Sequence, residues 1–165
     1  DRLGASMAGI RSRQLALSNE EINHIEIIVR HHMRFIFYTK RQDKEGISPS
    51  RRAIYRFFRE SGIAGVDLCL LGLADIRATY QETLPQNTWA MALEVAKLLL
   101  ENWFEKPAES IYPPALVNGD DLMHVFRLPP GPLIGNILEA IREAQAMGEV
   151  TTREQALALA RTKLE

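Results

Sequence analysis

The sequence predicts an all-α protein, and three observations lead to this prediction. Apolar residues recur at spacings of three and four along most of the 165-residue chain, as on one face of a helix. Residues that favour helix starts precede these stretches, and glycine or proline residues follow them. The only strand-like stretch is residues 35–39, and a single strand would have no partner. We therefore expect seven or eight helices.

The helices of the first half are predicted mainly from their first residues. Residues 3–17 show a loose helical pattern without a capping residue. Ser18 and Glu21 have the spacing of a capping box, so a helix begins near residue 19. An N-capping serine and a first-turn proline at 48–49 begin another helix, which Gly62 ends.

The second half contains further helices on either side of a proline-rich linker. Residues 66–80 are almost wholly apolar, which predicts a helix buried on most of its faces. Residues 86–105 form the longest predicted helix, and prolines then mark a boundary at 106–118. Beyond this boundary, helices are predicted over residues 119–126, over 132–147 and from a capping box at 151–154 onward.

Composition excludes several classes of protein. Hydrophobic residues make up 46% and charged residues 25% of the chain, which is typical of a globular protein. No apolar run approaches the roughly 20 residues that cross a bilayer, and no secretory leader is visible. Cys69 is the single cysteine and lies among leucines, so we expect a buried thiol and no disulfide. These features predict a cytoplasmic protein with no membrane partner.

The net charge of −1 conceals a basic segment at residues 30–59, with nine basic and two acidic residues. This asymmetry indicates a polyanionic partner, because lysine and arginine contacts to phosphates dominate affinity for nucleic acids. A solvated arginine-rich surface is the alternative. Neighbouring aromatic residues could stack on unpaired bases or form core. The candidate RNA-binding residues are Arg34, Lys40, Arg51, Arg52, Arg56 and Arg59, of which Arg52, Arg56 and Arg59 share one helical stripe.

Motifs of nucleotide chemistry are missing from this sequence. It contains no GxxxxGK[ST], no GxGxxG and no DxD pair. Asp120 and Asp121 are adjacent and would diverge on a helix, so we interpret them as N-terminal capping residues. We therefore predict no catalytic residue in this chain.

Histidines and one aspartate form a candidate partial metal site. His24 and His31 share a helical face, and Asp75 lies in an apolar run where burial of a carboxylate would be costly without a cation. Alternatively, Asp75 pairs with Arg77 or Arg30, and the histidines cap the end of their helix.

The sharpest local pattern is PGPLIG at residues 130–135. Proline and glycine predict a tight turn, after which the free N–H groups of a helix start near Leu133 suit a phosphate. The alternative is that Gly135 lets two helices pack closely.

This tail resembles the C-terminal region of bacterial tRNA nucleotidyltransferases of the poly(A) polymerase type, the CCA-adding enzymes and their relatives. The resemblance lies in a short helix at 119–126, the PGPLIG turn, the Ile-Arg-Glu-Ala helix within 138–145 and the TTREQA start at 151–156. Upstream, residues 15–34 and 48–80 resemble the second half of the HD family's helical domain. The similarity covers nearly the whole chain.

The resemblance implies a division into three parts and an incomplete metal site. Residues 1–82 would be the C-terminal half of an HD-like domain, 83–113 a long helix with a linker, and 114–165 a helical tail. Asp75 matches the final aspartate of the HD pattern, and His31 or His32 matches a later histidine, with His31 preferred. The His-Asp dipeptide is missing. A divalent metal would therefore bind in the intact parent, and none is expected to bind tightly to this chain.

The resemblance thus implies an RNA-binding C-terminal portion of a CCA-adding or poly(A)-adding nucleotidyltransferase. Its partners would be tRNA or another RNA, and a nucleotidyltransferase head domain that this sequence does not contain. Two alternatives remain at this point. One is part of a metal-dependent HD phosphohydrolase acting on nucleotides or RNA ends, and the other is a helical scaffold.

Overall fold

A computed structural model of the chain describes residues 2–164, and this part is all-α. It contains ten α-helices, one 3-10 turn at Gln81–Thr83 and no strand, which confirms the predicted fold class. No helix within residues 2–164 has the length and apolar character needed to cross a bilayer. The helices are α1 (Arg2–Gln14), α2 (Asn19–His31), α3 (Met33–Glu45), α4 (Arg51–Ser61), α5 (Ala64–Tyr80), α6 (Gln86–Phe104), α7 (Pro107–Ser110), α8 (Gly119–Phe126), α9 (Pro132–Met147) and α10 (Arg153–Thr162).

The chain forms two compact units, one ending at Glu105 and one beginning at Lys106. The long helix α6 belongs to the first unit. The second unit begins at the proline-rich stretch that the sequence marks as a boundary.

In the first unit, α5 is the central helix and contacts α2, α3, α4 and α6. Gly72 of α5 allows α3 to approach closely. A β-carbon at Gly72 would lie 2.2 Å from Cδ1 of Phe35, whose side chain is fully buried. Substitution at this glycine would therefore require the backbones of α3 and α5 to separate.

The strand-like stretch at residues 35–39 is helical and lies within α3, as the all-α prediction requires. Phe35 and Thr39 are four residues apart and both are buried, which is one face of a helix. The helix break before α3 is at His32, whose Nδ1 lies 2.8 Å from the carbonyl oxygen of Val29. This side chain caps the end of α2, so the capping role predicted for the histidines belongs to His32, whereas His24 and His31 lie beside the carboxylates of Asp67 and Glu60.

Helix α5 is less buried than its apolar sequence predicts. Cys69 is fully buried, as expected, and burial raises the pKa of its thiol to about 12. Leu70 and Leu71, however, are 55% and 42% exposed, and Asp75 is exposed as well. The premise that Asp75 is a buried carboxylate in need of a cation is therefore wrong.

The second unit has a small core of its own. Leu122 of α8 is fully buried and packs with the inner faces of α9 and α10. Capping boxes begin α8 and α10, at Asn118 with Asp121 and at Thr152 with Gln155. The second box thus begins one residue later and uses a different acceptor from the pair predicted at 151 and 154.

Candidate nucleic-acid surface

Helix α4 begins at a serine cap and buries an aromatic face. The hydroxyl of Ser50 accepts a hydrogen bond from the backbone N–H of Ala53 at 3.2 Å. This cap lies two residues after the predicted start at Ser48, because the proline at 49 precedes the helix. The buried face of α4 consists of Ile54, Tyr55, Phe57, Phe58 and Ser61.

The arginines of α4 lie on the side opposite this buried face. We call Arg52, Arg56 and Arg59 the arginine stripe; all three are exposed. At about 100° per residue, the stripe is centred about 180° from the middle of the buried face. Arg51 is also exposed, but it lies in the first turn of α4 and about 80° around the helix from Arg59, outside the stripe. The helix therefore presents four guanidinium groups on its outer surface.

Arg34 of α3 lies beside α4 and is hydrogen-bonded to a residue of that helix. Its Nη1 donates a hydrogen bond to Oε2 of Glu60 at 2.8 Å, and its guanidinium carbon lies 5.9 Å from the ring centre of Phe57. The carboxylate of Glu60 offsets the charge of Arg34. This residue thus anchors α3 to α4 more than it extends the cationic surface.

Lys40 lies on a different side of α3 from Arg34. The two are six residues apart, or about 120° around the helix. Lys40 lines a cavity with Asp75 and Thr79 of α5, whereas Arg34 faces α4. The structure therefore does not place all of the candidate RNA-binding residues on one surface. The exposed arginines among them lie on α4, whereas Lys40 and Arg34 lie on different sides of α3.

The aromatic residues of α4 are core. Tyr55, Phe57 and Phe58 are each at most 2% exposed, so of the two interpretations left open for the aromatic residues, core is confirmed for these three. Within the basic segment 30–59, the aromatic residue that is exposed is Phe37 of α3, which is 55% exposed, with the guanidinium of Arg41 5.9 Å from its ring centre. Sequence reasoning missed Phe37. The available signal was helical spacing, which places Phe37 about 200° around the helix from Phe35 and thus on its outer side.

The two residues of the predicted partial metal site, His31 and Asp75, have different neighbours. His31 lies 3.9 Å from Glu60, next to Arg34, whereas Asp75 lines the cavity with Lys40 and Lys44. Asp75 also makes no ion pair with a described residue, so its predicted pairing with Arg77 or Arg30 is wrong. Residues 2–164 contain no group of three histidine, cysteine, aspartate or glutamate side chains that could hold a metal. Binding of a divalent metal in the intact parent stays a prediction.

His24 has a structural role instead. Its Nε2 lies 2.8 Å from Oδ2 of Asp67, which links α2 to α5. The pattern of two histidines on one face thus reflects contacts with two different carboxylates, Asp67 and Glu60.

His31 should make the first unit sensitive to acid. Burial, with Arg34 nearby, lowers its pKa below the usual 6.5. The folded state therefore favours the neutral form of His31. The free energy of unfolding that this preference contributes is fully present above pH 6.5 and is lost as the pH falls through the pKa of the folded state. We expect His31→Gln to reduce the difference in unfolding free energy between pH 7.5 and 5.5. Urea titrations followed by tryptophan fluorescence measure this difference, and His124→Gln, in the second unit, is the control. An unchanged difference in His31→Gln would contradict this assignment.

In the tail, the two adjacent aspartates begin α8 as predicted. Asp121 accepts a hydrogen bond from the backbone N–H of Asn118 at 2.9 Å, and a second from Nη2 of Arg153 at 2.5 Å. The Arg153 hydrogen bond is the main reason why the pKa of Asp121 is lowered. Asp121 thus joins the starts of α8 and α10 rather than holding a metal.

The PGPLIG turn leads into α9, with Pro132 in its first turn. A β-carbon at Gly135 would meet no atom within 4 Å, so the interpretation that Gly135 permits close helix packing is wrong. Gly131 precedes the helix and supplies no side-chain cap. The backbone N–H of Ile134 is bonded to the carbonyl oxygen of Gly131 at 3.2 Å. Phosphate binding at this turn stays a prediction.

Comparison with known proteins identifies the class of this all-α chain. A family model described as "tRNA nucleotidyltransferase domain 2 putative" matches residues 112–160, which lie in the second unit. The A-adding tRNA nucleotidyltransferase of Deinococcus radiodurans is 31% identical over 161 residues, covering 96% of this chain and 33% of that protein. The CC-adding tRNA nucleotidyltransferase of Thermus thermophilus is 28% identical over 156 residues, covering 94% of this chain and 31% of that protein.

A shorter match of higher identity adds to these two relatives. The CC-adding enzyme of Geobacter sulfurreducens is 49% identical over 41 residues, which is 25% of this chain and 10% of that protein. No solved structure matches the chain. The chain is a helical C-terminal region of the tRNA nucleotidyltransferase type, and it spans about a third of the length of the first two relatives. It belongs to the bacterial CCA-adding family, as the resemblance of its tail implied.

Proposed function

We propose that this chain is the RNA-binding C-terminal portion of a CCA-adding or A-adding tRNA nucleotidyltransferase. In this proposal it positions tRNA for a catalytic head that other sequence supplies. The relatives are A-adding and CC-adding tRNA nucleotidyltransferases, and the chain matches about a third of each. The substrate of the relatives is thus the first support for tRNA as the partner.

The observation that carries the proposal is the arrangement of α4. Three exposed arginines on one stripe lie opposite a closely packed aromatic face, and Arg51 is exposed in the first turn of the same helix. The buried face holds the helix in place, so the guanidinium groups project from a rigid support. Such a row suits the regularly spaced phosphates of an RNA strand.

Phosphate binding by four arginines predicts a steep dependence on salt. The slope of log affinity against log salt is about −0.7 to −0.9 per neutralised phosphate. Four contacts therefore predict that the chain loses about 50- to 150-fold in tRNA affinity between 50 and 200 mM salt. Fluorescence anisotropy with labelled tRNA measures this change. Absent binding, or an affinity that is independent of salt, would contradict the proposal and leave the scaffold interpretation.

A further inference from the structure

A cavity in the first unit, separate from the arginine stripe, has the composition of a small-molecule site. It lies among α3, α5 and α6 and has a volume of about 450 Å³. Its apolar lining comes from Met33, Ile36 and Ile76. Small-molecule sites typically enclose about 300–1,000 Å³ and combine an apolar lining with a few polar groups.

The cavity contains a buried hydroxyl that has no partner. Thr39 is 2% exposed and lines the cavity, and its Oγ1 makes no hydrogen bond. Buried polar groups in proteins are nearly always paired, because an unpaired one costs free energy. The hydroxyl of Thr39 is therefore a polar group in the wall of the cavity whose hydrogen-bonding capacity no described residue uses.

Two lysines, one helical turn apart, line the α3 side of the same cavity. Lys40 and Lys44 make no ion pair or hydrogen bond with any other residue in the described part of the chain. The carboxylate of Asp43, which lies between the two lysines in sequence, already has hydrogen-bond partners in α6. It accepts hydrogen bonds from Nδ2 of Asn87 at 2.7 Å and from Oγ1 of Thr88 at 3.0 Å. The free donors of α3 therefore suit a group with several anionic oxygens, such as a phosphate.

The α5 side of the cavity has the opposite character. Asp75 is exposed and has no ion-pair partner among the described residues, and Thr79 and Tyr80 line the same side. These groups accept hydrogen bonds from hydroxyl or amino groups. The cavity thus combines a side with two lysines and the hydrogen-bonded carboxylate of Asp43, an apolar middle and an accepting side.

We propose that this cavity binds one nucleoside monophosphate unit. The phosphate would lie between Lys40 and Lys44, the base against Ile36 and Ile76, and the ribose hydroxyls toward Asp75. An inorganic phosphate would leave the apolar lining unused, and an uncharged nucleoside would leave the lysines unused. The proposal goes beyond the proposed function and does not depend on it. The unit could be a free nucleotide or the last nucleotide of an RNA.

The test is calorimetric titration of the whole chain with AMP, with adenosine and ribose 5-phosphate as partial ligands. We expect saturable AMP binding that is at least tenfold tighter than binding of either partial ligand. A six-nucleotide oligoadenylate distinguishes the two sources. If it competes with AMP, the site accepts an RNA end; if it does not, the site is specific for free nucleotides.

Two variants locate the binding site without altering Lys40, which is also among the candidate RNA-binding residues. Lys44→Gln should weaken AMP binding about tenfold, and Thr39→Val should weaken it at least threefold while the fold is retained. The matched control is Lys97→Gln, because Lys97 is an exposed lysine of α6 outside the cavity. Absence of saturable AMP binding, or equal AMP affinities in Lys44→Gln and Lys97→Gln, would overturn the proposal. Either result would leave the salt-dependent binding of tRNA unaffected, so the two proposals fail separately.

Discussion

Replacing Arg52 and Arg56 together by glutamate is expected to weaken tRNA binding by about 100-fold at ~100 mM salt, because two phosphate contacts are lost and two like charges are added. Both side chains are exposed and lie opposite the buried face of α4, so the fold should be retained. Anisotropy titrations with labelled tRNA measure the effect, and circular dichroism verifies the helical content.

The control must change the net charge equally without altering the arginine stripe. Arg11→Glu with Arg77→Glu does so, because Arg11 lies on α1 and Arg77 on α5, and both are exposed. We expect this double variant to lose less than about fivefold, since distant exposed charges are largely screened at this salt concentration. Equal losses in both double variants would show that net charge, not the position of the stripe, determines affinity.

The largest effect on stability is expected from Phe58→Ala, which should cost about 3–5 kcal/mol because it removes a buried aromatic side chain. Phe58 is 1% exposed. Its ring stacks on Trp103 of α6 with centroids 4.9 Å apart and contacts Phe57 edge-on at 5.0 Å. The substitution therefore removes contacts that join α4 to α6. Urea unfolding followed by the fluorescence of Trp89 and Trp103, both in the first unit, measures the loss.

Phe37→Ala is the matched control for this change. Phe37 is 55% exposed, so truncation of the same residue type should cost less than about 1 kcal/mol. If Phe58→Ala and Phe37→Ala were equally destabilising, the packing described for α4 and α6 would be wrong.

Helix starts could be predicted well because their signals are local. The Ser18 and Glu21 capping box forms as expected, with the backbone N–H of Ser18 donating to Oε2 of Glu21 at 2.8 Å. The capping role of Asp121 and the burial of Cys69 were also predictable. In each case the residue type and its nearest neighbours in sequence determine the structure.

Burial that depends on neighbouring helices could not be predicted. The apolar sequence of α5 predicts burial on most faces, but the helices that contact α5 leave Leu70 and Asp75 exposed. Residues 35–39 combine β-branched and aromatic side chains, which locally favour a strand, but they are helical and Phe35 packs against Gly72. Local propensity is overridden by tertiary contacts at such positions.

The candidate site could be predicted only in part, because residue spacing determines some of its geometry and helix packing determines the rest. The periodicity of Arg52, Arg56 and Arg59 determines that they share a face, whatever the neighbouring helices do. The packing of α3 determines that Arg34 pairs with Glu60 and that Lys40 lies apart from Arg34. Residue spacing alone does not predict this packing. The cavity at Thr39 likewise arises only when three helices assemble.

Arginine-specific footprinting tests the central claim that the arginine stripe of α4 is an RNA-binding surface. The chain is treated with phenylglyoxal with and without tRNA, and modification at each arginine is quantified by mass spectrometry. We predict that tRNA protects Arg51, Arg52, Arg56 and Arg59 from modification by at least threefold, whereas Arg11 and Arg77 react equally in both samples. Equal modification of the α4 arginines with and without bound tRNA would contradict the claim.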